Sequence, residues 1–196
     1  MKYRLKKVAV LGSGVMGSGI ACHLANIGLE VLMLDIIPRD LEGDKLKDPT
    51  LRNSIVDSAL QNSIRSKPAP LYHKSFASRI STGNFEDDFE KISDADWIIE
   101  VVVERLDIKQ QIFEKVDHNR KNNSLVTSNT SSIPMHLLSK GRSDNFKAHF
   151  CGTHFFNPPR YLRLLEVIPT SDTLKSVINF FMAVSYTHLR AHETRL

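Results

Sequence analysis

Apolar and polar positions along the chain alternate between two rhythms. Residues 8–11, Val8-Ala9-Val10-Leu11, form a continuous apolar run, the pattern of a strand buried on both faces. A helical stretch follows over Val15–Asn26, with Gly28 placed to end it. Glu30–Asp35 is a second strand. Leu51, Ile55, Ala59, Leu60 and Ile64 recur at helical spacing and predict an amphipathic helix over 50–66, ended by Lys67-Pro68-Ala69-Pro70. A short strand over 79–82, closed by Gly83-Asn84, precedes another buried run at 97–103. Ile108, Ile112 and Val116 mark the next helix, with Asp107 in its first turn. Residues 124–128 are a strand, and Pro134 opens a helix after Ser131-Ser132. Two late strands, 149–156 and 163–168, flank Asn157-Pro158-Pro159-Arg160. This alternation predicts an α/β fold: a doubly wound, mostly parallel sheet with helices on both faces and an antiparallel hairpin near the C-terminal end.

Composition narrows the class. At about 150 residues per domain, 196 residues make one domain and the start of a second. Hydrophobic residues at 41% and charged residues at 24% argue against disorder. No run approaches the roughly 18 apolar residues of a membrane helix. The net charge of +4 is scattered, with Lys2, Arg4, Lys6 and Lys7 at one end and Arg190 and Arg195 at the other, so no nucleic-acid stripe forms. Two cysteines, Cys22 and Cys151, cannot build a disulfide framework, which points to a reducing, cytoplasmic compartment. Basic residues followed by the uncharged stretch 8–22 imitate a secretory leader, but Gly12, Gly14, Gly17 and Gly19 interrupt the helix such a leader needs.

Those glycines have a better explanation. Gly12-Ser13-Gly14-Val15-Met16-Gly17 fits G-x-G-x-x-G and stands directly after a strand, opening a helix. The first glycine permits the tight turn, the second lets backbone approach a pyrophosphate, and the third allows helix to pack on sheet. The diphosphate of a dinucleotide would rest on the free N–H groups of that helix end, around Val15 and Met16. Asp35 closes the second strand, where a carboxylate accepts from both ribose hydroxyls and repels a 2′-phosphate. The cofactor expected is therefore NAD rather than NADP, in a Rossmann-type fold.

His154 and Glu166 form the second informative pair. A hairpin centred on Arg160 places position 154 opposite 166, and a carboxylate beside an imidazole fixes its tautomer for taking up a hydroxyl proton. A structural histidine salt-bridged across a hairpin is the alternative. Ser128-Asn129-Thr130-Ser131-Ser132 ends a strand at the carboxyl edge, where doubly wound sheets place ligands; its hydroxyls either bond a substrate oxygen or cap the helix from Pro134. Glu104 and Lys109 stand at a strand end and in the following helical turn, as ligand-site residues or as a surface pair. The remaining histidines lack partners at ligand spacing, so no metal site is expected.

Gly12–Gly17, Glu104-Arg105-Leu106, Ser128–Ser132 and His154-Phe155-Phe156-Asn157-Pro158 occur in this order, and together the chain resembles the NAD-binding domain of L-3-hydroxyacyl-CoA dehydrogenases over about residues 5–184. The resemblance implies NAD-dependent oxidation of (S)-3-hydroxyacyl-CoA to 3-ketoacyl-CoA in fatty-acid β-oxidation. It makes His154 the catalytic base, oriented by Glu166, and gives Ser131 the 3-oxygen of the substrate and a place near the nicotinamide. Asp35 holds the adenosine ribose, while Gly12, Gly14, Val15, Met16, Gly17, Glu104, Lys109 and Asn157 line the cofactor site. Lys67-Pro68-Ala69-Pro70 with 83–88 resembles the bacterial multidomain version, in which an enoyl-CoA hydratase-like half follows.

The family continues this domain with a helical one that completes the acyl-CoA site and commonly a homodimer, and it supplies a further asparagine there. The expectation is that 1–184 is the dehydrogenase domain without that continuation, inactive by itself. Residues 185–196 have no family counterpart and look like translated cloning sequence. Two alternatives remain: a dehydrogenase of another small hydroxy acid, and a non-catalytic NAD-binding module.

Overall fold

The structure is a computed structural model and describes residues 3–162 and 164–185. Arg163, the first residue of the predicted last strand, and all of the predicted foreign tail after Ser185 lie outside the described residues.

Among the described residues seven strands make one sheet: β1 (Lys7–Leu11), β2 (Glu30–Asp35), β3 (Ile80–Asn84), β4 (Trp97–Glu100), β5 (Leu125–Ser128), β6 (Phe150–Phe155) and β7 (Leu165–Pro169). Their order is β3-β2-β1-β4-β5-β6-β7, parallel throughout except for the antiparallel β6–β7 pair. The expected architecture is therefore present, with the antiparallel hairpin near the C-terminal end and at one edge of the sheet. The helices are α1 (Val15–Asn26), α2 (Pro49–Arg52), α3 (Ser54–Arg65), α4 (Leu106–Asn119), α5 (Met135–Leu138), α6 (Asp144–Ala148) and α7 (Lys175–Val184).

Alternate residues of each strand divide the core in two, as the period of a pleated strand requires. Val8, Val10, Trp97 and Ile99 pack on the side of α1, α3 and α7; Ala9, Leu11, Ile98 and Val126 pack on that of α4, α5 and α6. Burial on both faces explains why β1 and β4 are written as unbroken apolar runs.

Several boundaries differ from expectation. The helix predicted over 50–66 is two helices, interrupted at Asn53, whose side chain accepts from Asn84 Nδ2 at 2.8 Å. Of its apolar residues Val56 is buried and Leu60 and Ile64, half-buried, pack on the core as expected, while Ile55 and Ala59 do not join that cluster. The apolar run 97–103 stays in the sheet only to Glu100, because the Glu100 carboxylate accepts the Val102 N–H at 2.8 Å and turns the chain out. Gly83 and Asn84 belong to β3 rather than closing it. The helix after Pro134 is a single turn, and none of the Ser131-Ser132 hydroxyls caps it.

Candidate functional site

The glycine loop joins β1 to α1. Gly12 has φ +108°, and a side chain there would strike the Val101 carbonyl at 2.7 Å; one at Gly17 would meet the Gly12 carbonyl oxygen at 1.9 Å. Both glycines are therefore dictated by close backbone approach. Gly14 is different. Nothing lies within 4 Å of the space a Cβ would fill, so neither the turn nor the packing demands glycine there. The space is open toward a groove, and α1 starts at Gly14 without a side-chain cap or an acidic residue in its first turn. A helix end with free N–H groups and a bare backbone at its mouth fits an incoming diphosphate.

From the loop the groove runs outward over about 840 Å³, lined by Gly12, Gly14, Asp35, Arg39, Phe85 and Val101 among others. Asp35 lies at the end of β2 and is bonded to the loop through Ser13, a contact that sequence reasoning missed. A second cleft, about 380 Å³, adjoins it through Met16, Val101 and Val102, and is lined by Glu104, Lys109, Asn129, Ser131, His154 and Asn157. The fold thus brings Met16, Glu104, Lys109, Ser131, His154 and Asn157 to one cleft, and Gly12, Gly14, Val15, Met16 and Asp35 to the other. Glu166 stands behind His154, and Gly17 packs under the loop.

The hairpin has the register read from the sequence. His154 pairs with Glu166, and Nδ1 lies 2.7 Å from Oε2. With Nδ1 engaged, Nε2 is the ring nitrogen left for other partners. The ring is about four-fifths buried and rests at 4.6 Å on Phe156.

Below this cleft lies a polar network that joins residues distant in the chain. Parallel neighbours bring Glu100 of β4 beside Ser128 of β5. Glu100 and Lys109 are completely buried, with Lys109 Nζ 2.7 Å from Glu100 Oε1 and 3.1 Å from Glu104 Oε2. Glu100 Oε2 accepts the Ser128 hydroxyl at 2.5 Å, and Glu104 Oε1 accepts from Thr130 and from Ser132, the latter at 2.9 Å. Lys109 and Glu104 are thus no loose surface pair. Burial raises the Glu100 carboxyl above its ordinary range despite Lys109. For Glu104, partial burial acts in the same direction, but donors from Thr130, Ser132 and Lys109 outweigh it and hold the carboxyl at about 2.

The network fixes the loop 128–132 to the start of α4. Asn129 ties the same loop to β6, accepting the Phe155 N–H at 2.8 Å. Thr130 also accepts the Ile133 N–H at 3.1 Å and so forms the turn, leaving Ser131 on the cleft wall. The arrangement can orient an imidazole at one side of a small polar cleft and offer a hydroxyl at another, over a floor of paired charges.

Elsewhere, Cys22 and Cys151 are buried, and burial pushes the Cys22 thiol up to about 11 and Cys151 higher still, so neither is an activated nucleophile. Among the described residues no group of three or more His, Cys, Asp or Glu side chains could hold a metal ion. No helix among them is long and apolar enough to cross a membrane.

The profile of the family described as "3-hydroxyacyl-CoA dehydrogenase, NAD binding domain" matches residues 7–189. A "Probable 3-hydroxyacyl-CoA dehydrogenase" of Bacillus subtilis is 52% identical over 189 residues, covering 93% of this chain and 24% of its own. A "Putative fatty acid oxidation complex trifunctional enzyme" of Rickettsia felis is 46% identical, covering 91% of this chain and 24% of its own. The chain therefore spans about a quarter of the length of these two curated relatives. Among solved structures, the (S)-3-hydroxybutyryl-CoA dehydrogenase of Ralstonia eutropha superposes with a TM-score of 0.72 at 28% identity, covering 96% of this chain and 62% of that one.

Proposed function

This chain belongs to the 3-hydroxyacyl-CoA dehydrogenase family, in which it is the NAD-binding domain, and on that premise we propose that it serves the reversible oxidation of (S)-3-hydroxyacyl-CoA to 3-ketoacyl-CoA. The observation that carries the proposal is the His154–Glu166 pair at 2.7 Å, on a cleft that adjoins the glycine groove and includes Ser131.

His154 takes the substrate hydroxyl proton on Nε2, while Glu166 holds Nδ1–H and stabilises the ring as it becomes charged. Ser131 donates to the 3-oxygen. Bound NAD supplies the hydride acceptor for C3. In the reverse direction, protonated His154 and Ser131 together polarise the ketone. Asp35 accepts from the adenosine ribose, and the N–H groups after Gly14 receive the diphosphate. Glu104, Lys109 and Asn157 line the inner cleft, where the Glu100 network keeps Ser131 in place.

Residues 1–184 act here as the nucleotide-binding unit. The acyl-CoA body is held by a further domain. The glycine groove and Asp35 account for nucleotide binding without the His154 cleft and carry a second reading, an NAD-binding module without turnover. NADH titration followed by acetoacetyl-CoA turnover, with the acyl-CoA-binding domain supplied in an intact version, separates the two. Binding with turnover that His154→Ala abolishes supports the first. Turnover retained in His154→Ala rejects His154 as the base, and binding without turnover supports the module.

A further inference from the structure

The Asp35 carboxylate is already engaged within the protein. Oδ2 accepts the Ser13 backbone N–H at 2.6 Å and the Ser13 hydroxyl at 2.5 Å, and Oδ1 accepts the Ile36 N–H at 2.7 Å. An ionised carboxylate offers about four lone-pair sites, so three donors leave about one. A ribose diol brings two donors. One of the three must therefore leave before both hydroxyls are gripped.

The two backbone donors have little freedom. Ser13 N–H belongs to a loop pinned on both sides: the Gly12 N–H bonds the Leu34 carbonyl at 2.7 Å, and the Ser13 carbonyl accepts the Ser18 hydroxyl at 2.6 Å. Ile36 follows Asp35 directly in the chain. The Ser13 hydroxyl, by contrast, turns about one side-chain bond. The geometry points to Ser13 as an affinity-setting positioning residue, whose hydroxyl stands in for a ribose hydroxyl on Asp35 and yields when the nucleotide arrives. This rests on Asp35 as the ribose acceptor. Its consequence is that the nucleotide binds less tightly, and leaves sooner, than the groove would otherwise allow. Ser13 is buried, so its hydroxyl has no ready access to water as a substitute partner.

The test is a titration of NADH and of its 2′-deoxyadenosine analogue onto the wild-type protein, S13A and S13T, followed by nicotinamide fluorescence. S13A should bind NADH roughly threefold tighter or more, the scale of one exchanged hydrogen bond. Removing the 2′-hydroxyl from the ligand should cost the wild type less than S13A, because Ser13 refills the acceptor. S13T keeps the hydroxyl and should resemble the wild type. Weaker NADH binding by S13A, or an equal deoxy penalty in both proteins, overturns the inference. The penalty is a ratio within each protein, so loss of folded protein cancels from it. Asp35→Ala separates the layers. If it binds NADH like the wild type, the ribose assignment itself fails. If it binds weakly while the deoxy penalties agree, only the exchange fails.

Discussion

His154 and Glu166 face each other across the antiparallel β6–β7 pair, and the imidazole Nδ1 lies 2.7 Å from the carboxylate Oε2. Removing the charge while keeping the shape isolates what the carboxylate does. In an intact version that includes the acyl-CoA-binding domain, Glu166→Gln is expected to lower kcat for acetoacetyl-CoA reduction by on the order of a hundredfold, the usual contribution of a general acid–base partner. NADH affinity, measured by titration on the same protein, should stay within error. An unchanged kcat would remove Glu166 from the chemistry.

Asp35→Ala should raise the Kd for NADH by roughly tenfold, the scale of a charge-assisted hydrogen bond. Ser13 also loses its acceptor in this variant, so a small fall in Tm is expected alongside. An affinity equal to that of the wild type would place the ribose elsewhere.

Lys109 and Glu100 are both fully buried, and removal of one partner leaves an uncompensated charge. Lys109→Met should cost about 3–5 kcal/mol in urea unfolding, as breaking a buried ion pair does. Lys109→Met with Glu100→Gln should lose less than the sum of the two single changes. Additive losses would show that the pair is not coupled.

The glycines give opposite expectations. Gly17→Ala forces a methyl group to 1.9 Å from the Gly12 carbonyl oxygen and should prevent correct folding, visible as a lost cooperative melt. Gly14→Ala meets nothing within 4 Å and should melt like the wild type. It should nevertheless bind NADH more weakly, because the methyl group intrudes where the diphosphate lies. Wild-type affinity in Gly14→Ala would move the diphosphate away from the loop.

His23 is buried on α1, and its Nδ1 has no hydrogen-bond partner among the described residues. Burial, helped by the charge of Arg160, lowers its pKa from 6.5 to about 4. The unfolded chain therefore binds the proton first as pH falls. Stability is complete above pH 6.5, declines toward pH 4, and levels off below it, with a total on the order of 3 kcal/mol for this group. In His23→Gln, Tm should flatten across that window. A wild-type slope in the variant would assign the acid loss to the carboxylates.

The sequence by itself determined the architecture and the two signatures of the site. Unbroken apolar runs specify strands covered on both faces, and a glycine pattern between strand and helix specifies a turn that other residues cannot make. The placement of 154 opposite 166 followed from centring the hairpin on Arg160, since antiparallel strands pair symmetrically about their connection, here the loop between Phe155 and Leu165. Only the tertiary structure decided the rest. Glu100 reads as the polar end of an apolar strand until β5 brings Ser128 beside it and α4 lowers Lys109 onto it. Ser13 is an unremarked letter between two glycines until β2 delivers Asp35 to its hydroxyl. The break at Asn53 likewise depends on Asn84 of β3. These contacts join residues distant in the chain, and the burial that strengthens them is created only when the layers close.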